Sequence, residues 1–303
     1  MPHVNDERLA ELTERLENGV KDIFTSGRYE EYLSVMARFH NYSFGNCLLI
    51  LMQCPQATHV AGYNKWKKEF GRQVKQGEKG IRILAPCPKK YLLTEDSTDP
   101  DTGQTVKEQM TVVRTYFKVA TVFDVSQTEG KELPSLGVSE LTGSAEHYAE
   151  FFTRLVDFSP VPVETEDFLG SAKGYFSHKE HRIVVRPGMS EVQTLKTLTH
   201  EIAHAMLHDP EQIGNEERKD RNEREVEAES VAYVVCQHFG IDTSDYSFGY
   251  VAGWSGGKEL DELKASLDRI KNTAALIIKA IEPEEPQREE KPKSRPRVPA
   301  LAR

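Results

Sequence analysis

The stretch "TLTHEIAHAMLH", Thr197 to His208, constrains this chain more than any other. Leu195, Leu198, Ile202, Ala205 and Met206 recur along one helical face, so the segment reads as an amphipathic helix with its apolar stripe turned to a core. Residues four apart on such a helix stand about 6 Å apart on the same side, which lets His200 and His204 aim both imidazoles at one ion. Glu201 lies one step, about 100°, further round. From there it reaches water beside the ion without competing for the ion, as a general base must. The competing explanation is three ordinary polar positions on a buried helix. Chance produces HExxH in roughly a few chains per hundred, but seldom with an apolar helix around it and an acidic helix after it.

Two histidines leave an ion short of ligands, and a catalytic site needs a third from the protein plus an open position. His208 continues the i, i+4 series, but three side chains in line along one face cannot converge on a tetrahedral ion, so it is excluded. Asp209-Pro210 then ends the helix. The third ligand is expected from "REVEAESVAYVV", where Glu225, Ala228, Glu229 and Ala232 share a face and the alanines permit close approach. Glu225 points across the gap, and Glu229, one turn on, is placed to accept the second N–H of a ligating histidine and fix its tautomer. Glu223, Glu227 and Asp220 remain alternatives in this acid-rich segment. An ion held there acidifies water towards neutrality, and Glu201 takes the proton and passes it to the leaving amine of a peptide. Tyr175, His181 and Tyr233 are candidate donors to the oxyanion.

The rest of the chain supports an α+β fold in two domains, for which 303 residues suffice. Leu9, Leu12, Leu16, Val20 and Ile23 mark an opening helix, and "EEYLSVMARFHNYSFGNCLLILMQ" a second helical pattern broken at Ser43 and Gly45. Gly71, Gly77 and Gly80 punctuate short apolar runs read as strands, "STDPDTG" reads as a hairpin tip or insertion, and "TVVRTYFKVATVFDVSQT" adds one or two more strands. Residues 1–132 thus form a first domain, with "TEGKELPSLG" as linker. Residues 140–282 form a second, with "GYFSHKEHRIVVRP" as a strand or hairpin and a last helix from about Gly257 to Ile281. The proline-rich, mixed-charge residues 283–303 have the composition of a disordered tail.

Cys47, Cys54, Cys87 and Cys236 form no C-x-x-C pair, no signal segment opens the chain, and no apolar run reaches the roughly 20 residues of a membrane span. The expected setting is the cytoplasm, without membrane contact. A net charge of −9 argues against indiscriminate coating of nucleic acid, but the charge is segregated. Val60–Lys90 carries nine basic residues against Glu69 and Glu78. Tyr63 and Trp66 among Lys65, Lys67, Lys68 and Arg72, followed by Lys75, Lys79 and Arg82, supply the cations and aromatics that single-stranded DNA binding uses. The same pattern also suits a solvated lysine-rich surface over a buried tryptophan.

The succession "GYFSHKEHRIVV", "TLTHEIAHAMLH", "EREVEAESVAYVV" resembles the ImmA/IrrE-like zinc metallopeptidases and the related C-terminal domain of the antirestriction protein ArdC. That resemblance implies zinc held by His200, His204 and Glu225, Glu201 as base, and Glu229 supporting the first histidine. The segment "FHNYSFGNCLLILMQCPQATHVAGYNKWKKEFGRQVKQGEKGIRILAP", followed by "VFDVSQTEG", is similar to the ArdC N-terminal domain, which implies single-stranded DNA as partner. The insertion-like "STDPDTGQTVKEQ" departs from that pattern without touching a motif. Together these imply a zincin domain joined to a DNA-binding module, of the kind carried by mobile elements. Three functions are open: a metallopeptidase acting on proteins at DNA, a non-proteolytic DNA-protecting antirestriction protein with structural zinc, and a repressor-cleaving regulator.

Overall fold

The structure, a computed structural model, describes residues 4–98, 105–133, 145–210, 219–246, 248–249 and 251–282. Residues 99–103 of the predicted hairpin tip, 134–137 of the predicted linker, residues 211–218 and the predicted tail lie outside them.

Three helices open the chain: α1 (Val4–Thr25), α2 (Tyr29–Arg38) and α3 (Phe44–Gln53). The break between the last two falls where Ser43 adopts an extended conformation and its side chain accepts from the Asn46 N–H, capping α3. Next come β1 (Val60–Gly62), the short helix α4 (Tyr63–Lys68) and β2 (Arg72–Val74). The long strands β3 (Ile81–Thr98) and β4 (Thr105–Asp124) follow, and then β5 (Thr128–Gly130). One antiparallel sheet runs in the order β1-β4-β3, and β2 pairs with β5. The predicted linker therefore begins too early: Thr128–Gly130 is a strand opposite Arg72–Val74, and Arg72 fastens it through the Thr128 hydroxyl and carbonyl. Gly71, Gly77 and Gly80 fall outside the strands, flanking β2 and preceding β3, and the register of β3 on β4 then runs unbroken from Ile81↔Val122 to Thr98↔Thr105.

The second half comprises α5 (Ala145–Phe158), β6 (Val163–Thr165), β7 (Gly174–Ser177), β8 (Arg182–Val185), α6 (Glu191–His208) and α7 (Arg221–His238). A short α8 (Val251–Ser255) and α9 (Leu260–Ile281) complete it. The sheet order β6-β8-β7 leaves β7 an edge strand beside α6. Ser190 caps α6 and Asp220 caps α7, so Asp220 is occupied as a helix cap and is not a ligand.

The two halves share a continuous core, in which α2 packs against α7. Leu33, Val35 and Met36 of α2 and Val231, Val234 and Val235 of α7 are all fully buried within one cluster. Tyr29 hydrogen-bonds Ser230 at 2.9 Å, Ser34 bonds Tyr233 at 2.8 Å, and His238 Nδ1 lies 3.0 Å from the Ala37 carbonyl. Among the described residues no helix is long and apolar enough to cross a membrane.

Candidate metal centre

Helix α6 lies with Leu198, Ile202 and Ala205 fully buried, and His200 and His204 rise from its opposite side. Their Nε2 atoms are 3.0 Å apart. Helix α7 crosses close by, its Ala228 and Ala232 wholly buried, and brings Glu225 Oε2 to 3.6 Å from His200 Nε2 and 3.7 Å from His204 Nε2. Among the described residues these three form the group of His, Cys, Asp and Glu side chains whose donor atoms gather closely enough for an ion. The centre of the triangle they make lies about 2.0 Å from each atom, within the bond lengths of zinc to histidine nitrogen and carboxylate oxygen. The donor set, two imidazoles and one carboxylate, fits a first-row divalent cation. The two imidazoles hold the Glu225 carboxyl far below the usual carboxylate range, so the third donor is ionised.

Around the triangle the predicted roles separate. Glu229 Oε2 faces His200 Nδ1 at 3.5 Å, on the side away from the putting-together of the three donors. Glu201 is 7% exposed beside the triangle, and burial pushes its carboxyl up to about 7, with a counter-pull from His200 and the Phe176 N–H. Glu223 is taken by Lys258 and Arg269, and Glu227 turns away into the protein, so neither joins the triangle. His208 is not at the triangle either; its Nδ1 is 3.1 Å from His204 Nδ1.

A cleft of about 370 Å³ adjoins the site at His200 and Glu201, lined also by Gly174, Lys196, Glu229 and Tyr246. Of the predicted oxyanion donors, Tyr233 is excluded: it is 2% exposed and its hydroxyl bonds Ser34 in the first half of the chain. His181 sits at the β7–β8 turn beside Asp209, and Tyr175 packs on Phe168; neither lines the cleft. Tyr246 and Gly174 do line it and escaped the sequence reading. Tyr246 lies in an irregular segment with no periodic signal, and Gly174 is legible only once β7 is known to touch α6.

The basic segment divides as well. Trp66 is 1% exposed and donates its indole N–H to the Phe123 carbonyl at 2.8 Å, so it is core and not a stacking platform. Arg72 holds β5, Lys75 bonds the Ser126 carbonyl, Arg82 faces Glu11 and Lys65 faces Glu69. Tyr63, at 48% exposure, and the exposed Lys67, Lys68 and Lys79 remain open to a ligand. The ribbon adds what the sequence reading missed. Lys89 stands opposite Arg114, with Tyr91, Tyr116 and Lys118 on the same face by strand alternation. Tyr91 and Tyr116 join hydroxyls at 2.9 Å, and Tyr116 is half exposed.

Comparison with known proteins places two families on the chain. Residues 3–123 match the N-terminal domain of anti-restriction factor ArdC, and residues 159–239 match the IrrE N-terminal-like domain. An uncharacterized protein of Bacillus anthracis is 29% identical over 293 residues, covering 83% of this chain and 47% of that protein, so the chain spans about half the length of this relative. Two crystal structures of the antirestriction ArdC protein from the R388 plasmid are similar. The metal-free one is 24% identical with a TM-score of 0.45, covering 78% of this chain and 81% of that one. The Mn(II)-bound one is 20% identical with a TM-score of 0.46, covering 80% and 85%.

Proposed function

We propose, from the premise that the chain joins an ArdC-type N-terminal domain to an IrrE-like domain as ArdC-like antirestriction proteins do, that it is a single-stranded-DNA-binding protein with a zinc-dependent peptidase site. The domain assignment is residues 1–132 for the first module and 140–282 for the second. The observation that carries the peptidase reading is the triangle of His200, His204 and Glu225 with Glu201 buried beside it.

When bound, the ion supplies Lewis-acid polarisation of a carbonyl and acidification of water. Glu201 accepts the proton of the attacking water and returns it to the leaving amine. Glu229 keeps the His200 proton on Nδ1, so that its Nε2 lone pair faces the site. The edge strand β7 borders the cleft at Gly174, where an extended peptide can lie alongside it. Replacing Glu201 by Gln is expected to leave metal content and fold unchanged and to cut peptide hydrolysis by about 100-fold or more. Metal analysis and initial rates on a peptide library, with and without single-stranded DNA, check this; undiminished turnover would leave the base unassigned. A biological antirestriction activity that survives the substitution would favour the non-proteolytic reading.

For DNA, the exposed Tyr63, Lys67, Lys68 and Lys79 and the ribbon face of Lys89, Tyr91, Arg114, Tyr116 and Lys118 combine cations with aromatic faces. Like charges directly opposite on a ribbon, as at Lys89 and Arg114, repel each other and are relieved by an anion between them. Affinity for a single-stranded oligonucleotide is expected to fall steeply with salt and on the double change Lys67→Glu, Lys68→Glu. Titrations at 50 and 200 mM salt measure it, and binding indifferent to both would count against this surface.

A further inference from the structure

Behind the triangle lies a second polar cluster for which the proposed chemistry has no use. His208 is 4% exposed and Glu227 is fully buried, and burying such groups is costly unless each is satisfied. Both are. His208 Nδ1 lies 3.1 Å from His204 Nδ1, and His208 Nε2 lies 3.0 Å from Glu227 Oε2. Glu227 also accepts from Lys219 at 2.8 Å, Ser266 at 2.9 Å and the Arg269 guanidinium at 2.9 and 2.6 Å.

The directions of these bonds follow by elimination. If His204 offers its Nε2 lone pair to an ion, its proton must sit on Nδ1. His208 Nδ1 must then be the acceptor, which puts the His208 proton on Nε2. That N–H points at an ionised carboxylate, which can only accept. Any other tautomer of His208 would set two N–H groups against each other at 3.1 Å and two lone-pair atoms against each other at 3.0 Å.

We propose that His208 and Glu227 are positioning residues for His204, a carboxylate–imidazole relay that locks the tautomer and ring orientation of the second histidine. Glu229 does this for the first histidine directly; Glu227 does it through one intervening ring. Ser266 and Arg269 belong to α9, so the relay ends on the C-terminal helix, which Lys264 ties to Glu17 of α1 at 2.9 Å. The relay rests on the reading of His200, His204 and Glu225 as a metal centre.

The test measures zinc affinity of the whole chain by competition with a chromophoric chelator, together with the nitrogen-15 spectrum of its histidine rings. In zinc-loaded wild type, His204 is expected to carry its proton on Nδ1 and His208 on Nε2. His208→Leu leaves the His204 N–H without an acceptor and is expected to weaken zinc binding by about 10- to 100-fold. His208→Gln can present its carboxamide oxygen to His204 and its nitrogen to Glu227, and is expected to keep most of the affinity. Zinc bound by the Leu variant as tightly as by wild type, or a His208 proton on Nδ1 in loaded wild type, overturns the relay and leaves the metal centre standing. Absence of zinc from wild type overturns the metal centre and the relay with it.

Discussion

At position 174 space, not backbone angle, requires glycine. A Cβ there would meet Thr197 Cγ2 at 2.6 Å and the Val184 carbonyl oxygen at 3.0 Å, with Glu201 Cγ at 3.4 Å. The edge strand and the histidine-bearing helix can approach this closely only because one residue has no side chain. Gly174→Ala is expected to lower stability by about 1–3 kcal/mol, the usual cost of overpacking, measured as a reduced urea midpoint at unchanged slope. A variant as stable as wild type would mean that β7 yields easily and does not fix Glu201. The identities of His200, Glu201 and His204 were legible because a helix converts spacing into direction. Glu225 was harder to single out. Asp220, Glu223, Glu225, Glu227 and Glu229 sit within ten residues, and which acid faces the histidines depends on how two helices cross, a tertiary fact.

At the scale of elements, the root of the ribbon is held by a single carboxylate. Asp124 is 1% exposed at the end of β4 and accepts from the Thr58 and His59 N–H groups at 2.8 and 3.0 Å, and from the Ser126 N–H and hydroxyl at 2.9 and 2.6 Å. Burial alone would raise its pKa, but these donors outweigh burial and hold it below the ordinary value. A depressed pKa contributes stability that is complete above the unfolded-state value, about 3.9, and is lost as pH falls through the folded value. Asp124→Asn is therefore expected to cost about 1–3 kcal/mol at pH 7, with the gap to wild type closing below about pH 4. Urea unfolding at pH 7 and pH 3 measures both, and a gap independent of pH would show that charge is irrelevant there. The helices were readable from their apolar periodicity, as α1, α3 and α6 illustrate. The ribbon was legible only in part: "TVVRTYFKVATVFDVSQT" reads as strand, but Pro86, Pro88 and a mixed polar stretch obscure alternation in β3, and the length of the pairing is set by the partner strand.

At the scale of the molecule, the division into two domains that the sequence suggests coexists with a core that does not divide. Helix α2 packs on α7, with Tyr29 and Ser34 bonded to it, so removing residues 1–133 would strip cover from the helix that carries Glu225. The fragment 145–282 is expected to lack a cooperative thermal transition, while the whole chain melts in one step. Scanning calorimetry of both checks this; two resolved transitions in the whole chain would show that the shared core does not couple the halves. Nothing local in α2 or α7 announces this joint, since an apolar face shows that something covers it and not what.

Helix α7 spans that joint like a rod with a different fitting at each end. Glu225 meets the imidazoles near its start, and His238 at its end grips the Ala37 carbonyl of α2 and Glu282 beyond α9. Thirteen residues of helix separate the two fittings, about 20 Å at 1.5 Å per residue. In a molecule that unfolds as one piece, an ion bound at one end stabilises everything attached to the rod. The persistence of the N-terminal half would then depend on how much metal the surroundings supply.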